Sequence, residues 1–354
     1  MRFFLYINPQ TRGPEDDRHV IDAVTQQAID ADAAGFDAIF LTEHHFTNYN
    51  AFSDPFMFGA YLAPRIKRAR IGFSVAVPPL HHPLRFAEHC NLLDQFTDGR
   101  AIIGVGVGGG PIEFAGFGRR TEDRRELTEQ VIEVALAAWA HAYGDPPLEF
   151  ETPFFRGRLD GRIIPTSVRK PHPLLGRACV SDESVVRSAE RGWPIFTGRF
   201  PPDRTGRQWA LYRDALRQAH HSPAIEQECR DWSAMLKLVY VAESDEQAEA
   251  DIAEPLAYYL KAAYLANSAD RIEAPAEQDA VGFKARAMIV GSPTTVAREI
   301  QAYADVGVTG MMLWLTWGGN DAARVRRSMR LFIDEVMPRF ASSCTASSSP
   351  ATSC

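Results

Sequence analysis

The chain has 354 residues, of which 45% are hydrophobic, so it is long enough to bury the core of a large domain. Its formal net charge is −7 at pH 7, and no segment concentrates Lys and Arg over several turns, which argues against nucleic acid or an anionic membrane surface as a partner. No apolar run is long enough for a membrane span or a signal peptide, and the scattered cysteines lack pair spacing, so we predict a cytoplasmic protein without disulfides.

Eight short apolar segments, rich in Val, Ile, Phe and Leu, predict β-strands in chain order. They cover residues 2–7, 38–41, 70–77, 101–107, 177–181, 194–198, 236–242 and 311–316. Between them lie segments in which apolar residues recur three and four positions apart, as in amphipathic helices. Gly35 fits the C-terminal stop of the first helix. Ser292 and Gly307 fit the N-cap and the stop of a later one.

Strands that alternate with helices predict parallel pairing, because parallel neighbours need crossover connections. The count of eight favours an α/β fold with a single (β/α)8 TIM-type barrel over an open doubly wound sheet. A dinucleotide-binding sheet would carry a G-x-G-x-x-G turn after its first strand, and "INPQTRGPED" lacks that turn. The run "GVGVGGG" follows the fourth strand instead and is weak evidence for a phosphate cradle.

Three segments depart from this alternation. Residues 144–173 are rich in Pro, Gly and β-formers and predict an excursion of short strands after the fourth-strand helix. Residues 267–287 are polar and aperiodic, and predict a lid-like insertion before the last helix–strand pair. The Ser-rich residues 341–354 have the composition of disorder, so the barrel domain is expected to cover residues 1–340.

Polar groups follow several predicted strands, at the end of the barrel where functional residues collect. They are Glu43, His44 and His45 after the second strand, His81 and His82 after the third, and Ser181 and Ser184 after the fifth. Each set has a structural alternative. The histidines could lie on the surface, Glu43 could pair with an internal cation, and Ser181 could be an N-cap whose helix amides also form an anion site.

A metal site at the adjacent histidines is disfavoured by the geometry of a strand. Neighbouring strand residues point to opposite faces, so His44 and His45 would not both face inward towards one ion. The sequence also lacks a Cys cluster and an H-E-x-x-H helix. We therefore expect no metal.

Several motifs, in this order, resemble the luciferase-like flavin monooxygenase family, which contains the bacterial luciferase subunits. "EHHFT" after the second strand is similar to the luciferase α-subunit pattern. "PPLHHPLRFAEHCNLLDQFTDGRAIIGVGVG" resembles the family's third-helix-to-fourth-strand signature, and "VGSPTTVAREIQAYADVGV" and "SMRLFIDEVMPRF" resemble its last helices. The resemblance runs over residues 1–340.

The resemblance implies a monooxygenase in which reduced FMN, delivered by a separate flavin reductase, reacts with dioxygen. A C4a-peroxyflavin would then oxygenate a small organic, apolar substrate, in a pocket that excludes water. That pocket is expected to draw on the aromatic residues Phe46, Tyr49, Phe52, Phe56, Phe117, Trp314 and Trp317. Barrels of this family generally pair through helices on one side, so the resemblance also implies a homodimer.

Motif matching assigns roles to individual residues. His44 falls on the histidine that acts in proton transfer beside the flavin, a task that suits an imidazole because it titrates near neutrality. Glu113 falls on an acidic position of the same active site. The residues expected to contact the cofactor are Glu43, Ser74, Val75, Gly106, Val107, Ser181 and Ser184, with the two serines at the FMN phosphate.

Val107 departs from the family pattern, because many relatives carry an arginine there that reaches the phosphate. A charge-assisted hydrogen bond of that kind is typically worth about 1.5–3 kcal/mol. Either Arg177 or Arg119 substitutes for it, or FMN binds weakly as a diffusing substrate. The departure leaves open a deazaflavin coenzyme that transfers hydride on the same barrel. A flavin-binding protein without turnover is a third reading, against which the intact His44 argues.

Overall fold

The computed structural model describes residues 1–268 and 279–340. Residues 341–354, predicted to be disordered, and residues 269–278 of the predicted lid lie outside the described residues. The lid prediction covered residues 267–287, and the last eight of these form a helix, Ala280–Ala287.

The strands lie close to the positions that the sequence predicts. In chain order they are β1 (Arg2–Ile7), β2 (Ala38–Leu41), β3 (Arg70–Phe73), β4 (Ala101–Val105), β5 (Leu148–Glu151), β6 (Arg156–Leu159), β7 (Leu174–Cys179), β8 (Ile195–Thr197), β9 (Ala234–Val241), β10 (Met288–Gly291) and β11 (Gly310–Trp314). The helices are α1 (Asp17–Ala34), α2 (Pro55–Leu62), α3 (Pro83–Phe96), α4 (Pro111–Gly116), α5 (Arg124–Ala140), α6 (Asp182–Glu190), α7 (Pro202–Gln218), α8 (Pro223–Trp232), α9 (Asp245–Asn267), α10 (Ala280–Ala287), α11 (Pro293–Asp305) and α12 (Ala322–Leu331).

Eight of these strands close into a parallel barrel. The order around the ring is β1-β2-β3-β4-β7-β8-β9-β11, and β11 pairs with β1 to complete it. This confirms the predicted (β/α)8 barrel. β5 and β6 form an antiparallel hairpin inside residues 144–173, as the predicted excursion requires. The expected helix ends are also present, since Gly35 has a left-handed φ of 93° and the Ser292 side chain accepts the Thr295 amide.

Strand β10 is an addition that the sequence did not predict. Met235 of β9 pairs with β8 on one side and with β11 on the other, whereas Leu238 pairs with β10 and with β11. β8 and β10 therefore pair with the same edge of β9, β8 near its amino end and β10 at its carboxyl end.

β3 is shorter than predicted, because Ser74 and Val75 leave the ladder at its carboxyl end. Pairing resumes only as a single bridge between Ala76 and Val105. The Ser74–Val75 peptide bond is cis. Both residues are partly exposed, whereas the strand before them is buried apart from its first residue. The segment thus presents Ser74 and Val75 at the mouth.

Alternation along the strands divides the core into two layers. Phe4 and Tyr6 of β1 pack inside the barrel with Phe196 of β8, while Phe3 and Leu5 pack against the helices. Among the described residues, no helix is both long and apolar enough to cross a membrane.

Phe196 fills the barrel interior beside a glycine of β4. A Cβ on Gly104 would lie 2.0 Å from the Phe73 carbonyl oxygen and 2.3 Å from the Phe196 ring. Real Cβ atoms do not approach so closely, so the backbone or the ring would have to move. Gly104 therefore permits the aromatic packing at the centre of the barrel.

We expect Gly104→Ala to destabilise the protein by about 1–3 kcal/mol, the usual cost of overpacking a core. Urea unfolding followed by circular dichroism measures the change. Gly161→Ala is the matched control, because a Cβ there meets no atom within 4 Å. An unchanged midpoint for Gly104→Ala would show that the interior is looser than these contacts indicate.

Candidate active site

The carboxyl ends of the barrel strands carry the polar groups that the sequence singled out. Because all eight strands are parallel, the loops after β2, β3, β4, β7 and β8 open on the same mouth.

Glu43 lies beneath the mouth and is only 3% exposed. Its Oε1 is 2.8 Å from His81 Nε2 and 3.1 Å from His45 Nε2, and its Oε2 accepts the Val77 amide at 2.7 Å. Burial raises the pKa of Glu43, but the charge of His81 and these hydrogen bonds outweigh it and lower the pKa from 4.5 to about 2. Glu43 is therefore an ionised carboxylate held entirely by the protein.

His81 is the cationic partner in this arrangement. Burial lowers the pKa of His81, but the charge of Glu43 and the hydrogen bond to it raise the pKa above the usual value. The pair joins the end of β2 to the loop after β3. This geometry supports the structural alternative for Glu43, and its assignment as a cofactor contact remains a prediction.

His44 points away from that cluster and contacts a second buried carboxylate. His44 Nδ1 lies 2.9 Å from Glu113 Oε1, and the same oxygen accepts the His45 amide at 3.0 Å. Glu113 is 2% exposed, whereas the His44 side chain is 30% exposed. If Nδ1 donates to Glu113, then Nε2 is the unprotonated nitrogen and can accept a proton at the mouth. The two residues predicted to be catalytic are thus in direct contact.

A chain of hydroxyl groups begins beside His44. The Tyr49 ring packs edge-on against the imidazole, with 4.8 Å between ring centroids. Tyr49 Oη is 3.2 Å from Tyr259 Oη of α9, which accepts a hydrogen bond from Arg199 Nη1 at 2.8 Å. The sequence analysis named Tyr49 as a pocket aromatic but missed Tyr259 and Arg199. Arg199 could have been found from its place directly after the sixth predicted strand.

The residues predicted to line the flavin lie at the ends of three neighbouring strands. Ser74 and Val75 after β3 and Val107 after β4 are partly exposed. Val180 after β7, which the sequence did not single out, is 68% exposed. Gly106 has a packing reason of its own, since a Cβ there would lie 2.6 Å from the Val75 side chain. Val75, Val107 and Val180 thus place apolar side chains with solvent access at the ends of adjacent strands, and contact of this region with a flavin remains a prediction.

Ser181 and Ser184 form the N-terminal cap of α6 beside that region. The Ser181 hydroxyl accepts the Ser184 amide at 3.3 Å, and the Ser184 hydroxyl accepts the Ser181 amide at 3.2 Å. This is the capping role that the sequence offered as the structural alternative. The Ser184 hydroxyl donates to the Ser181 carbonyl oxygen at 2.7 Å. Ser181 is exposed, so its hydroxyl and the first amides of the helix are the groups that can also reach an anion.

Arg177 does not reach this anion site. It is 8% exposed, its side chain packs on the helix side of β7, and it is paired with Glu129 of α5. The suggestion that Arg177 replaces the missing phosphate arginine is therefore wrong. Arg119 lies after α4, with its guanidinium 5.1 Å from the centre of the Phe155 ring, and remains the other candidate cation.

A cavity of about 410 Å³ opens between α4, α9 and the loop after β2. Phe46, Tyr49, Ile112 and Leu265 contribute to its mainly apolar lining. Of the aromatic residues expected to form a pocket, Phe56, Trp314 and Trp317 instead belong to the buried core, at 7%, 1% and 0% exposure. Tyr49 both lines this cavity and packs against the His44 imidazole.

Within residues 1–268 and 279–340, no group of three or more His, Cys, Asp or Glu side chains is arranged to hold a metal ion. The closed barrel and the polar groups at its carboxyl-terminal mouth define the chain as a TIM-barrel protein with an enzyme-like site.

Comparison with known proteins assigns the family. The sequence profile of the luciferase-like monooxygenase family matches residues 1–310, and the chain belongs to this family, as the sequence motifs predicted. 4-Hydroxyprotoasukamycin monooxygenase of Streptomyces nodosus subsp. asukaensis is 29% identical over 325 residues, which cover 87% of this chain and 84% of that protein.

Two solved structures of monooxygenases share the fold over nearly their whole length. RslO1 from Streptomyces bottropensis has a TM-score of 0.83 at 25% identity, covering 96% of this chain and 100% of that one. The oxygenating constituent of 3,6-diketocamphane monooxygenase from the CAM plasmid of Pseudomonas putida, in complex with FMN, has a TM-score of 0.78 at 22% identity, covering 96% and 98%.

The low pKa of Glu43 predicts a pH-dependent contribution to stability. The folded-state pKa is depressed, so the contribution is full above pH 4.5 and is lost as the pH falls through about 2. At about 1.36 kcal/mol per pKa unit it amounts to roughly 3 kcal/mol. We expect Glu43→Gln to be less stable than wild type at about pH 6, and the difference to shrink towards about pH 3.

Urea unfolding at several pH values measures this difference. Glu149→Gln is the control, because Glu149 is an exposed carboxylate in the β5–β6 hairpin. A destabilisation by Glu43→Gln that is the same at every pH would mean that the charge of Glu43 is not what stabilises the mouth.

Proposed function

We propose that this chain is the oxygenase component of a two-component monooxygenase. It would use reduced FMN from a separate flavin reductase to insert one atom of dioxygen into a small, largely apolar organic substrate, with the other atom leaving as water. The peroxyflavin route implied by the resemblance is part of this proposal. The observation that carries it is the contact of 2.9 Å between His44 Nδ1 and the buried Glu113 carboxylate at an accessible barrel mouth.

His44 is proposed to move the proton that the oxygenation requires. Glu113 holds Nδ1 and so directs Nε2 towards the mouth, and the packing of Tyr49 against the imidazole restricts its rotation. Glu113 is therefore proposed to act through His44 by fixing its orientation. Glu43 and His81 anchor the same loop from below.

Reduced FMN would supply the electrons that activate dioxygen, and the residues present fit it. Val75 and Val107 offer an apolar surface at the mouth, where water is easily displaced by a flat ring. The Ser181 hydroxyl and the first amides of α6 offer donors to a phosphate, and the Ser184 hydroxyl, which donates to the Ser181 carbonyl oxygen, holds this cap in place. With Val107 uncharged and Arg177 occupied, these donors are proposed to be the main phosphate contacts.

A homodimer is also proposed. Met57 and Tyr61 of α2 are 72% and 43% exposed, and Leu92 and Phe96 of α3, which packs beside α2, are 40% and 51% exposed. Such an apolar surface supports association with a second copy. The cytoplasmic location expected from the sequence remains a prediction.

We expect His44→Ala to lower the yield of oxygenated product by about 10²-fold or more, because general acid–base groups typically contribute that much. The yield is measured per reduced FMN consumed, with a panel of apolar substrates, and hydrogen peroxide is measured in parallel. Glu113→Gln should lower the yield less, since His44 remains. His19→Ala, at an exposed histidine of α1, is the control.

Equal yields from wild type and His44→Ala would remove His44 from the mechanism. The cofactor is tested separately by anaerobic titration with reduced FMN and with a reduced deazaflavin. Tight binding of the deazaflavin alone, with hydride transfer and no oxygen uptake, would replace this proposal with the deazaflavin alternative.

The double variant Ser181→Ala/Ser184→Ala should weaken FMN binding by about tenfold or more, since charge-assisted hydrogen bonds to the phosphate are lost. Riboflavin has no phosphate, so its affinity should not change. Because the double variant also loses a helix cap, Ser222→Ala provides the control, as Ser222 caps α8 away from the flavin residues. A parallel loss of riboflavin affinity would point to a general distortion of α6.

A further inference from the structure

Arg199 occupies a distinctive position in the mouth. It follows β8, and β8 is four strands from β2 in either direction around the barrel. The residue after β8 therefore faces the loop that carries His44 across the mouth. The flavin-side residues Ser74, Val107 and Ser181 follow β3, β4 and β7, which lie between these two positions on one side of the ring.

The side chain of Arg199 extends towards the other side of the ring. Its Nη1 donates to Tyr259 Oη of α9, and its guanidinium carbon is 6.0 Å from the Trp314 ring of β11 and 5.7 Å from the Phe283 ring of α10. Arg199 thus lies among aromatic faces opposite the residues predicted to line the flavin. The residue is partly exposed, and a single hydrogen bond of its guanidinium, to Tyr259, is formed within the described residues.

The charge of Arg199 is not balanced by the part of the chain that the structure describes. Over residues 1–268 and 279–340, no carboxylate lies within 4.0 Å of its guanidinium. Burial raises the pKa of Tyr6 and of Tyr49, so these neighbouring phenols are neutral near pH 7. A guanidinium in apolar surroundings without an anion is costly, and a bound anion would offset that cost.

We propose that Arg199 binds an oxyanion of the substrate, a carboxylate carried on an apolar body. The planar guanidinium can hold two oxygens of such a group at once. With its charged end at Arg199, the substrate would extend across the mouth towards His44. The proposal deepens the function proposed above by naming the substrate class, but binding of the anion requires neither flavin nor oxygen.

The test compares carboxylates with their uncharged amides, which have almost the same shape. Isothermal titration of the full chain uses benzoate, 2-naphthoate and decanoate, each beside its carboxamide. We expect at least one carboxylate to bind at least about tenfold more tightly than its amide, and Arg199→Met to remove that preference. Arg199→Lys should retain part of it, because the charge remains and the planar fork is lost.

The controls locate the effect at Arg199. Arg204→Met, at an arginine of α7 that packs over the Phe200 ring, should keep the full preference. The acids of residues 269–278 are tested with Asp270→Asn/Glu273→Gln/Glu277→Gln, which should also keep it. Near-ultraviolet circular dichroism and thermal unfolding show that each variant is folded.

Several outcomes would overturn the proposal. They are equal binding of every carboxylate and its amide to wild type, a preference that survives Arg199→Met, or carboxylate binding that tightens in the triple variant because an acid of the chain had balanced the charge. Anaerobic titration with reduced FMN distinguishes the flavin as the source of the anion. Loss of reduced-FMN affinity in Arg199→Met with unchanged carboxylate binding would assign Arg199 to the flavin. Failure of the monooxygenase assay would leave the carboxylate result standing.

Discussion

The closed ring of parallel strands is the constraint on which the site depends. Because all eight strands run in one direction, every loop after a strand opens on one mouth, and α6, which follows β7 directly, begins there. Glu43 and Glu113 are 70 positions apart in sequence, yet two adjacent residues contact them, since His44 bonds to Glu113 and His45 bonds to Glu43. The amides at the start of α6 also face this mouth, which favours ligands with negative charge.

The two buried carboxylates of the mouth are chemically identical, but their surroundings give them different roles. Glu43 accepts hydrogen bonds on both oxygens from protein donors, so it joins the loops after β2 and β3. Glu113 directs its bonds to a single loop, at His44 Nδ1 and the His45 amide, and so orients an imidazole that remains 30% exposed. The side chains of the adjacent histidines therefore contact different carboxylates, because neighbouring residues of an extended segment point in opposite directions.

The sequence predicts the barrel well because its strands are buried on both faces and appear as continuous apolar runs. It missed β10, "MIVG", because this four-residue strand directly follows the aperiodic segment of the predicted lid, residues 267–287, and is too short to stand out. Contacts that depend on the tertiary structure also could not be predicted from the sequence. The pairing of Glu43 with His81 and the chain from Arg199 to Tyr49 join residues 38 and 150 positions apart, and neither spacing is a local motif. The N-terminal cap of α6 was easier to predict, because its pair of serines is a local sequence pattern.

The glycine run after β4 illustrates how a motif can mislead about its purpose. Its composition suggests a phosphate cradle, but three of its glycines have packing reasons. A Cβ on Gly106 would meet Val75 at 2.6 Å, one on Gly108 would meet the Val77 side chain at 2.6 Å, and one on Gly110 would meet Glu113 Oε2 at 2.5 Å. The run therefore lets the loop after β3 lie directly against the loop after β4 and leaves room for the Glu113 carboxylate. Glycines could let a phosphate approach the backbone, because they have no side chain. In this loop the same lack of side chains leaves space for the carboxylate that orients His44.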